Sequence, residues 1–266
     1  MKIPIAIITL NPDSTRVREL SSQLTEQNLT YEIFLGVDGR NEFPSLKEGE
    51  RIDQSQSLKK QLVELTKSEV GCYLSHFRAI KKFYEAGLKQ ICILEDDVLI
   101  EPYFGEVLHS LEALSKKIEH VRLMGLKRHK RKNVCQLDKR HKLIRPLKGL
   151  CGTQGYVVNR CGMRKILHHG NVIAEPIDKF YDHFWDINLR SYCVEPHIIW
   201  ERPVVKSSIS KVSKDEAAKP IGKFLRKHLV KLQRGFKRRA HLLRYWNDFF
   251  PAKKSAIPMG KTARIR

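Results

Sequence analysis

The sequence lacks three features that assign many chains to known protein classes. Its six cysteines include no Cys-x-x-Cys pair and several lie in apolar runs, which argues against a zinc site or a disulfide framework. No apolar stretch approaches the roughly 20 residues that cross a bilayer. The apolar run at residues 3–10 is short, contains Pro4 and precedes no small-residue cleavage site, so it reads as a buried strand rather than a signal peptide. We therefore expect reduced thiols and a cytoplasmic protein.

Acidic residues are few relative to basic ones. The chain has 266 residues with 29 Asp and Glu against 50 Lys and Arg, a formal net charge of +21, which predicts an anionic partner or surface. Residues 219–266 contain 15 of the basic residues and only one acid, Asp248. The length suits one sizeable core. We predict one α/β domain over residues 1–218 and a basic tail over residues 219–266.

The first 40 residues have the pattern of a strand, a helix and a second strand. An apolar run over 3–10 precedes Asn11-Pro12, and Asp13 or Ser14 can cap a helix before a β-rich run over 31–37. Such a βαβ unit predicts parallel pairing, with ligands bound at the carboxyl ends of the strands. These ends carry Thr9, Asn11, Asp38 and Arg40.

The rest of the chain has mixed signals and no internal repeat. Thr66 and Glu69 form a capping box for a helix that ends before Gly87. Residues 41–65 have no clear period and read as an irregular connection, and residues 127–140 read as a basic loop. The pattern predicts further strands at 90–94, 120–124, 152–158 and 192–195, and helices at 101–117, 161–169 and 178–189.

Three consecutive acids, Glu95, Asp96 and Asp97, directly follow the strand predicted at 90–94. Their charges are costly at the end of a buried strand unless a cation neutralises them. Carboxylate oxygens there suit Mn²⁺ or Mg²⁺, which share such ligands with substrate phosphates. Glu-Asp-Asp has the form of the DxD motif of nucleotide-sugar transferases, with Glu in the first place. A solvated acidic turn is the alternative.

Three further segments surround this motif. They are EVGCYLSHFRAI at 69–80, GTQGYVVNRCGMRKIL at 152–167 and EPIDKFYDHFW at 175–185. Together with IAIITLN and ILEDDV, in this order and spacing, they resemble glycosyltransferase family 25, the lipopolysaccharide and lipooligosaccharide glycosyltransferases of Gram-negative bacteria. The resemblance covers residues 3–205 and excludes the tail.

The resemblance implies a GT-A-like, Rossmann-type fold with a mainly parallel sheet flanked by helices. It also implies a UDP-sugar donor, a divalent cation and inverting transfer of a hexose, galactose or glucose, to a lipid-linked oligosaccharide. Carried over, Glu95 and Asp97 hold the metal and nucleotide, with Asp97 in direct metal contact. Glu95 or Asp96 binds the ribose or a metal-bound water, and the two remain undecided.

An inverting transfer also needs a general base for the acceptor hydroxyl. Asp178 and Asp182 stand four residues apart at the start of a predicted helix, which places them on one face near its positive end. Either residue can be the base. Carboxylates that only stabilise the helix N-terminus are the alternative.

Other polar residues are predicted to bind the donor. Ser75 and His76 match the Ser-His pair of the family, although a histidine inside a helix is often only structural. The remaining candidates are placed by strand-end topology or by glycine freedom, for which a bulged strand is the alternative; they are Thr9, Asn11, Arg16, Asp38, Gly152, Thr153 and Gln154. His183 and His197 are conceivable extra metal ligands, and structural histidines are the alternative.

Two other function classes compete with a transferase. A nucleic-acid-binding protein agrees with the sequence pI of about 9.8, but no nucleic-acid motif accompanies the charge, so nucleic acid is not an expected partner. A metal-dependent phosphohydrolase also places acids at strand ends, but would need more His and Asp at other strand ends.

The basic tail has an amphipathic pattern. Apolar residues from Ile221 to Phe250 recur at helical spacing and basic residues fill much of the remaining circumference, the pattern of a helix at a membrane interface. We expect the tail to attach the protein peripherally to the anionic cytoplasmic face of the inner membrane. Packing on the domain, or contact with a partner glycosyltransferase, is the alternative.

Overall fold

The computed structural model describes residues 3–114, 116–127, 129–202 and 221–254. The side chains of residues 221–225 and 227 are not described, so Ile221, Phe224 and Leu225 of the predicted stripe lie outside the described side chains, as do residues 219–220 and 255–266 of the tail. The described residues form eight helices and 13 strands. In order they are β1 Ile5–Thr9, α1 Thr15–Glu26, β2 Tyr31–Leu35, β3 Arg51–Ile52, α2 Gln54–Gln61, α3 Lys67–Glu85, β4 Gln90–Glu95, β5 Val98–Ile100, α4 Phe104–Glu112, β6 His120–Arg122, β7 Lys130–Gln136, β8 Lys142–Pro146, β9 Gly155–Asn159, α5 Arg160–His169, β10 Val172–Ile173, α6 Ile177–Asp182, β11 Ser191–Glu195, β12 Ile199–Glu201, α7 Ile221–Arg244, α8 Trp246–Phe249 and β13 Lys253–Lys254.

The predicted βαβ opening is confirmed. β1 is entirely buried and pairs in parallel with β2 on one side and β4 on the other. Ser14, not Asp13, caps α1 by accepting a hydrogen bond from the backbone N–H of Val17. Ile8 lies opposite Glu95 in the β1–β4 register. The carboxyl ends of β1 and β4 therefore bring Thr9 and the three acids to one edge of the sheet.

In the described ranges, nine strands form one sheet in the order β13-β7-β8-β11-β6-β9-β4-β1-β2. Only the β1–β2, β1–β4 and β6–β11 pairs are parallel, and the other five neighbouring pairs are antiparallel. The mixed α/β fold with flanking helices is confirmed, but a mainly parallel sheet is wrong. The sheet is mostly antiparallel because β9 runs antiparallel to both of its neighbours, β4 and β6. The β7–β8 hairpin beyond β11 adds further antiparallel pairs.

Both faces of the sheet are covered by apolar side chains. Helices α3, α5 and α6 pack on one face, and α1 and α4 pack on the other. The predicted capping box is present, because the Thr66 side chain accepts from the Glu69 backbone and Glu69 bonds back to Thr66. This cap fixes the start of α3, the helix that carries Ser75 and His76.

Two segments that were predicted to be irregular, at 127–140 and 41–65, contain a strand and a helix in the structure. The predicted basic loop at 127–140 holds β7, which pairs with β8. Its Arg131 points inward, where Nε donates to the buried Glu195 at 2.8 Å, so an ion pair replaces the apolar residue that a strand pattern would show. Within residues 41–65, Asp53 caps α2 through the backbone N–H of Gln56, and this short polar helix has little apolar period to detect.

The C-terminal segment joins the rest of the fold at its far end. Phe249 is completely buried, Leu242 is nearly so, and β13 pairs with β7 at the sheet edge. α7 itself exposes large apolar side chains; they are Leu229, Leu232, Phe236 and Leu243. No helix in the described ranges is long and apolar enough to cross a bilayer.

Candidate active site

A cleft of about 410 Å³ opens at the carboxyl ends of β1 and β4, which we call the acidic cleft. It brings together most of the predicted site residues although they come from four separate segments. Those that line it are Thr9, Asn11, Arg16, Ser75, His76, Glu95, Asp96 and Asp97. Arg40 also lines it, whereas Asp38 only flanks it and makes a two-pronged contact with the Arg40 guanidinium.

Glu95 is held by two side chains. Oε1 of Glu95 accepts a hydrogen bond from the Thr153 hydroxyl at 2.6 Å and lies 3.2 Å from Nε2 of His76. Burial alone would raise the pKa of Glu95, but the bonds from His76 and Thr153 keep it below its ordinary value. The other ring nitrogen of His76, Nδ1, lies 3.0 Å from the Tyr156 hydroxyl. His76 thus connects the acidic cleft with a buried tyrosine.

Asp96 and Asp97 are held differently. Oδ2 of Asp96 accepts a hydrogen bond from the Thr9 hydroxyl at 2.5 Å, and Arg16 lies 3.8 Å from its other oxygen. Burial raises the pKa of Asp97 to about 7, and the charges of Glu95 and Glu201 act in the same direction. Oδ1 of Asp97 is buried with no hydrogen-bond partner among the described residues. Because an unpartnered buried carboxylate oxygen is costly, this pocket of oxygens fits a bound cation.

A second group of possible metal ligands overlaps the first. The ligand atoms of Cys72, His76 and Glu95 lie within 4.8 Å of one another. A sulfur and a nitrogen donor suit softer ions such as Zn²⁺ better than Mn²⁺ or Mg²⁺. Burial, and next the charge of Glu95, raise the pKa of the Cys72 thiol well above its ordinary value. A protonated thiol is a poor ligand, so the carboxylates are the better match for a hard cation.

The predicted glycine-rich segment forms the turn that enters β9. Gly152 has φ +82°, a backbone conformation that side chains rarely adopt, and its carbonyl accepts a bond from Arg122 at 2.6 Å. The Thr153 hydroxyl donates a hydrogen bond to Glu95. The side-chain amide of Gln154 donates to Glu201, and the backbone carbonyl of Gln154 accepts a hydrogen bond from the Glu95 backbone N–H. The predicted strand at 152–158 therefore starts only at Gly155, and the preceding turn supports the acids.

Asp178 and Asp182 both lie on α6, which ends at Asp182 rather than continuing to Leu189. Asp182 is buried and its Oδ1 accepts bonds from Arg122 at 2.9 Å and from the Cys151 backbone at 3.1 Å. The Asp178 carboxylate is partly exposed and, within the described part of the chain, pairs only with the adjacent Lys179, 3.0 Å away. Neither aspartate lines the acidic cleft, although the charge of Asp178 contributes to the raised pKa of the Cys72 thiol, which does line it.

Two residues that contact the predicted site residues, Glu201 and Arg122, were not predicted from the sequence. Glu201 ends the short strand β12, and Arg122 ends β6, yet neither lies in a recognisable motif. His183 and His197 do not line the acidic cleft. His183 contacts Glu175 at 2.7 Å, and Nε2 of His197 accepts the Gly125 backbone N–H at 3.1 Å.

The family profile described as glycosyltransferase family 25 (LPS biosynthesis protein) matches residues 2–181. This chain belongs to glycosyltransferase family 25. The matched range contains β1, the acid triplet, the helix that carries His76, and α6, so the predicted resemblance is confirmed.

Relatives of this family-25 chain occur in animals and bacteria. It is 26% identical over 221 residues to procollagen galactosyltransferase 1 of Danio rerio. The matched region covers 74% of this chain but only 36% of that relative's own length. It is 24% identical over 172 residues to the lipooligosaccharide biosynthesis protein lic2B of Haemophilus influenzae, covering 61% of this chain and 62% of that protein.

A solved glycosyltransferase involved in glycosylation of the major capsid of PBCV-1 aligns over 70% of this chain and 69% of its own, with 12% identity and a TM-score of 0.29.

Proposed function

We propose that this family-25 glycosyltransferase is a metal-dependent, inverting enzyme that moves a hexose, galactose or glucose, from a UDP-sugar to a lipooligosaccharide or lipopolysaccharide acceptor. The single observation that carries the proposal is the buried, unpartnered Oδ1 of Asp97 inside an oxygen-rich cleft. The names of the galactosyltransferase and lipooligosaccharide relatives support the sugar and acceptor classes. A GT-A-like arrangement agrees with the parallel β1–β2 and β1–β4 pairs beside a DxD-like motif.

Asp97 and Glu95 are the residues that would hold Mn²⁺ or Mg²⁺, with Asp96 beside them. When bound, the cation acts as a Lewis acid that neutralises charge on the leaving diphosphate. Arg16 lies at the mouth of the same cleft and is half exposed, so its guanidinium is available to donor phosphates once it leaves Asp96. Thr9 and Thr153 orient Asp96 and Glu95, and His76 stabilises the charge of Glu95.

Asp178 is the better candidate for the general base. An inverting transfer needs a carboxylate that takes the proton from the acceptor hydroxyl as it attacks the anomeric carbon. Asp182 already receives bonds from Arg122 and Cys151 and is buried, so its accepting capacity is used within the protein. Among the described residues the Asp178 carboxylate contacts only Lys179, and it is partly exposed, which leaves an oxygen for a substrate.

The activity test is sugar transfer measured with a panel of UDP-sugars, Mn²⁺ or Mg²⁺, and an oligosaccharide acceptor. UDP release that depends on both metal and acceptor is the expected result. Release of phosphate or nucleoside monophosphate without transfer would favour the phosphohydrolase instead.

Asp178→Asn should reduce kcat at least about 100-fold with donor KM and melting temperature unchanged, because a base acts in the transition state. Asp182→Asn should lower the melting temperature; if it alone reduces kcat, Asp182 is the base.

The tail is proposed to hold the enzyme at an anionic membrane surface. The exposed apolar face of α7 carries Leu232 and Phe236, which are 69% and 75% exposed. When these apolar side chains insert into the membrane, basic residues on the same helix, such as Lys231 and Arg239, would contact the lipid phosphates. We further propose the division into a domain over 1–218 and a tail over 219–266.

Point variants test membrane binding better than truncation, because ending the chain near residue 218 would uncover the site where Phe249 packs. Full-length protein should sediment with phosphatidylglycerol vesicles, and the Leu232→Ser/Phe236→Ser variant should remain in the supernatant. The matched control is Val63→Ser/Leu35→Ser, which removes two exposed apolar side chains from another surface. Equal sedimentation of both variants would reject the role of α7.

A further inference from the structure

A second cleft, of about 920 Å³, lies between α7 and the segments after α2 and β8. It is separate from the acidic cleft, with which it shares no lining residue. Its walls are strongly basic, and we call it the basic cleft. The cationic side chains used in the argument are Lys60, Lys148, Lys231, Arg234, Arg238 and Arg239.

Few acids balance these charges. Glu175 contacts Lys60 at 3.7 Å but already contacts His183, and Asp186 contacts Lys237 rather than a lining residue. Lys148, Arg238 and Arg239 have no ion pair among the described residues. Burial and the neighbouring charges of Arg238 and Lys231 lower the pKa of Lys148. The cations thus repel one another in the protein alone.

Two buried donors in this region also lack partners. Nε of Arg238 and Nε1 of Trp185 are buried and have no hydrogen-bond acceptor among the described residues, and both residues line the basic cleft. An adjoining cavity of about 500 Å³ shares Lys148, Arg238 and Arg239. Unpartnered buried donors are costly, and concentrated cations need an acceptor of opposite charge.

From this geometry we infer that the basic cleft is a binding site for a lipid-borne phosphate group. A phosphate offers several acceptor oxygens and negative charge to the guanidinium and ammonium donors that converge on Lys148 and Arg238. Leu232 and Phe236 of α7 line the same cleft and are strongly exposed, so α7 presents both cations and apolar side chains to it. An amphiphile can contact both kinds of side chain, with its phosphate at the cations and its acyl chains along Leu232 and Phe236.

The phosphate can belong either to a glycolipid saccharide or to a phospholipid headgroup. Calorimetry without added divalent cation tests the first source with glucose 6-phosphate, and with glucose as the uncharged comparison. Cosedimentation with phosphatidylglycerol and phosphatidylcholine vesicles tests the second. The variant is Lys148→Gln/Arg238→Gln, and the matched control Arg18→Gln/Lys139→Gln removes the same charge from exposed positions outside the cleft.

Glucose 6-phosphate binding that is weakened at least about tenfold by the cleft variant, but not by the control, assigns a saccharide phosphate. If the protein binds only phosphatidylglycerol vesicles, and the cleft variant but not the control weakens that binding, the phosphate belongs to a phospholipid headgroup. Should the cleft variant melt early, Lys148→Gln/Arg239→Gln replaces it, because both of those side chains are exposed. Equal behaviour of cleft and control variants with every ligand overturns the inference. Neither binding assay requires sugar transfer.

Discussion

The acidic cleft and the basic cleft arrange their charges in opposite ways. In the acidic cleft, Glu95 and Asp96 receive bonds from His76, Thr153 and Thr9, and a buried side-chain oxygen of Asp97 has no partner in the described part of the chain. In the basic cleft, the clustered cations have little protein compensation. The first site is therefore preorganised by the protein around one missing charge, whereas the second depends on its ligand to relieve repulsion.

The largest expected effect separates the two clefts directly. Asp97→Ala should reduce sugar transfer roughly 1,000-fold or more, because it removes the ligand that holds the cation opposite the leaving diphosphate. Binding of glucose 6-phosphate should be unchanged, since Asp97 does not line the basic cleft. Steady-state transfer assays and calorimetry measure the two effects.

Asp13→Asn is the control, because Asp13 is exposed and does not line the acidic cleft. Full transfer by Asp97→Ala, or by the wild type in excess chelator, would rule out a metal site there.

The elements around the acidic cleft could be predicted from the sequence because their signals are local. The capping box at Thr66, the apolar run of β1 and the acids after β4 each appear within a few residues. Parallel pairing at the carboxyl ends of β1 and β4 then brings these separate motifs together, as expected. The role of each predicted site residue remains a prediction.

The contacts that organise the rest are long-range and leave no local pattern. Arg122 and Asp182 are 60 positions apart, and nothing near either residue indicates that they pair. β7 has a polar sequence because most of its side chains are exposed and its buried position holds Arg131, paired with Glu195, so hydrophobic periodicity indicated a loop. The tail pattern predicted the helix, but not the packing of Phe249 and β13, because amphipathicity does not specify what an apolar face contacts.

The second prediction tests whether Phe249 anchors the C-terminal segment, whose helix α7 forms one wall of the basic cleft. Phe249→Ala should lower the free energy of unfolding by about 3–5 kcal/mol, because it leaves a cavity beside Phe184 and Arg145. Phe236→Ala, a matched change on the exposed face of α7, should change it by less than about 0.5 kcal/mol. Urea denaturation measures both. Similar losses in the two variants would mean that α7 packs through its apolar face.

The third prediction places an acid-sensitive group outside both clefts. Burial lowers the pKa of His197 to about 4, and neither cleft contains this side chain. Nε2 accepts the Gly125 N–H, so the neutral ring carries its proton on Nδ1, and protonation would remove that acceptor. Because the folded-state pKa lies below the unfolded value of about 6.5, the unfolded chain binds more protons between these values.

The stabilisation from neutral His197 is therefore fully present above about pH 6.5 and is lost as pH falls towards about 4, at most about 3 kcal/mol in total. His197→Gln keeps a hydrogen-bond acceptor but cannot take up this proton, so the slope of unfolding free energy against pH should decrease by up to about 1.4 kcal/mol per pH unit in this window. Urea titrations from pH 4 to 7 measure the slope, with exposed His109→Gln as control. An unchanged slope in His197→Gln would assign the acid sensitivity to other buried groups, such as His120, whose pKa burial also lowers.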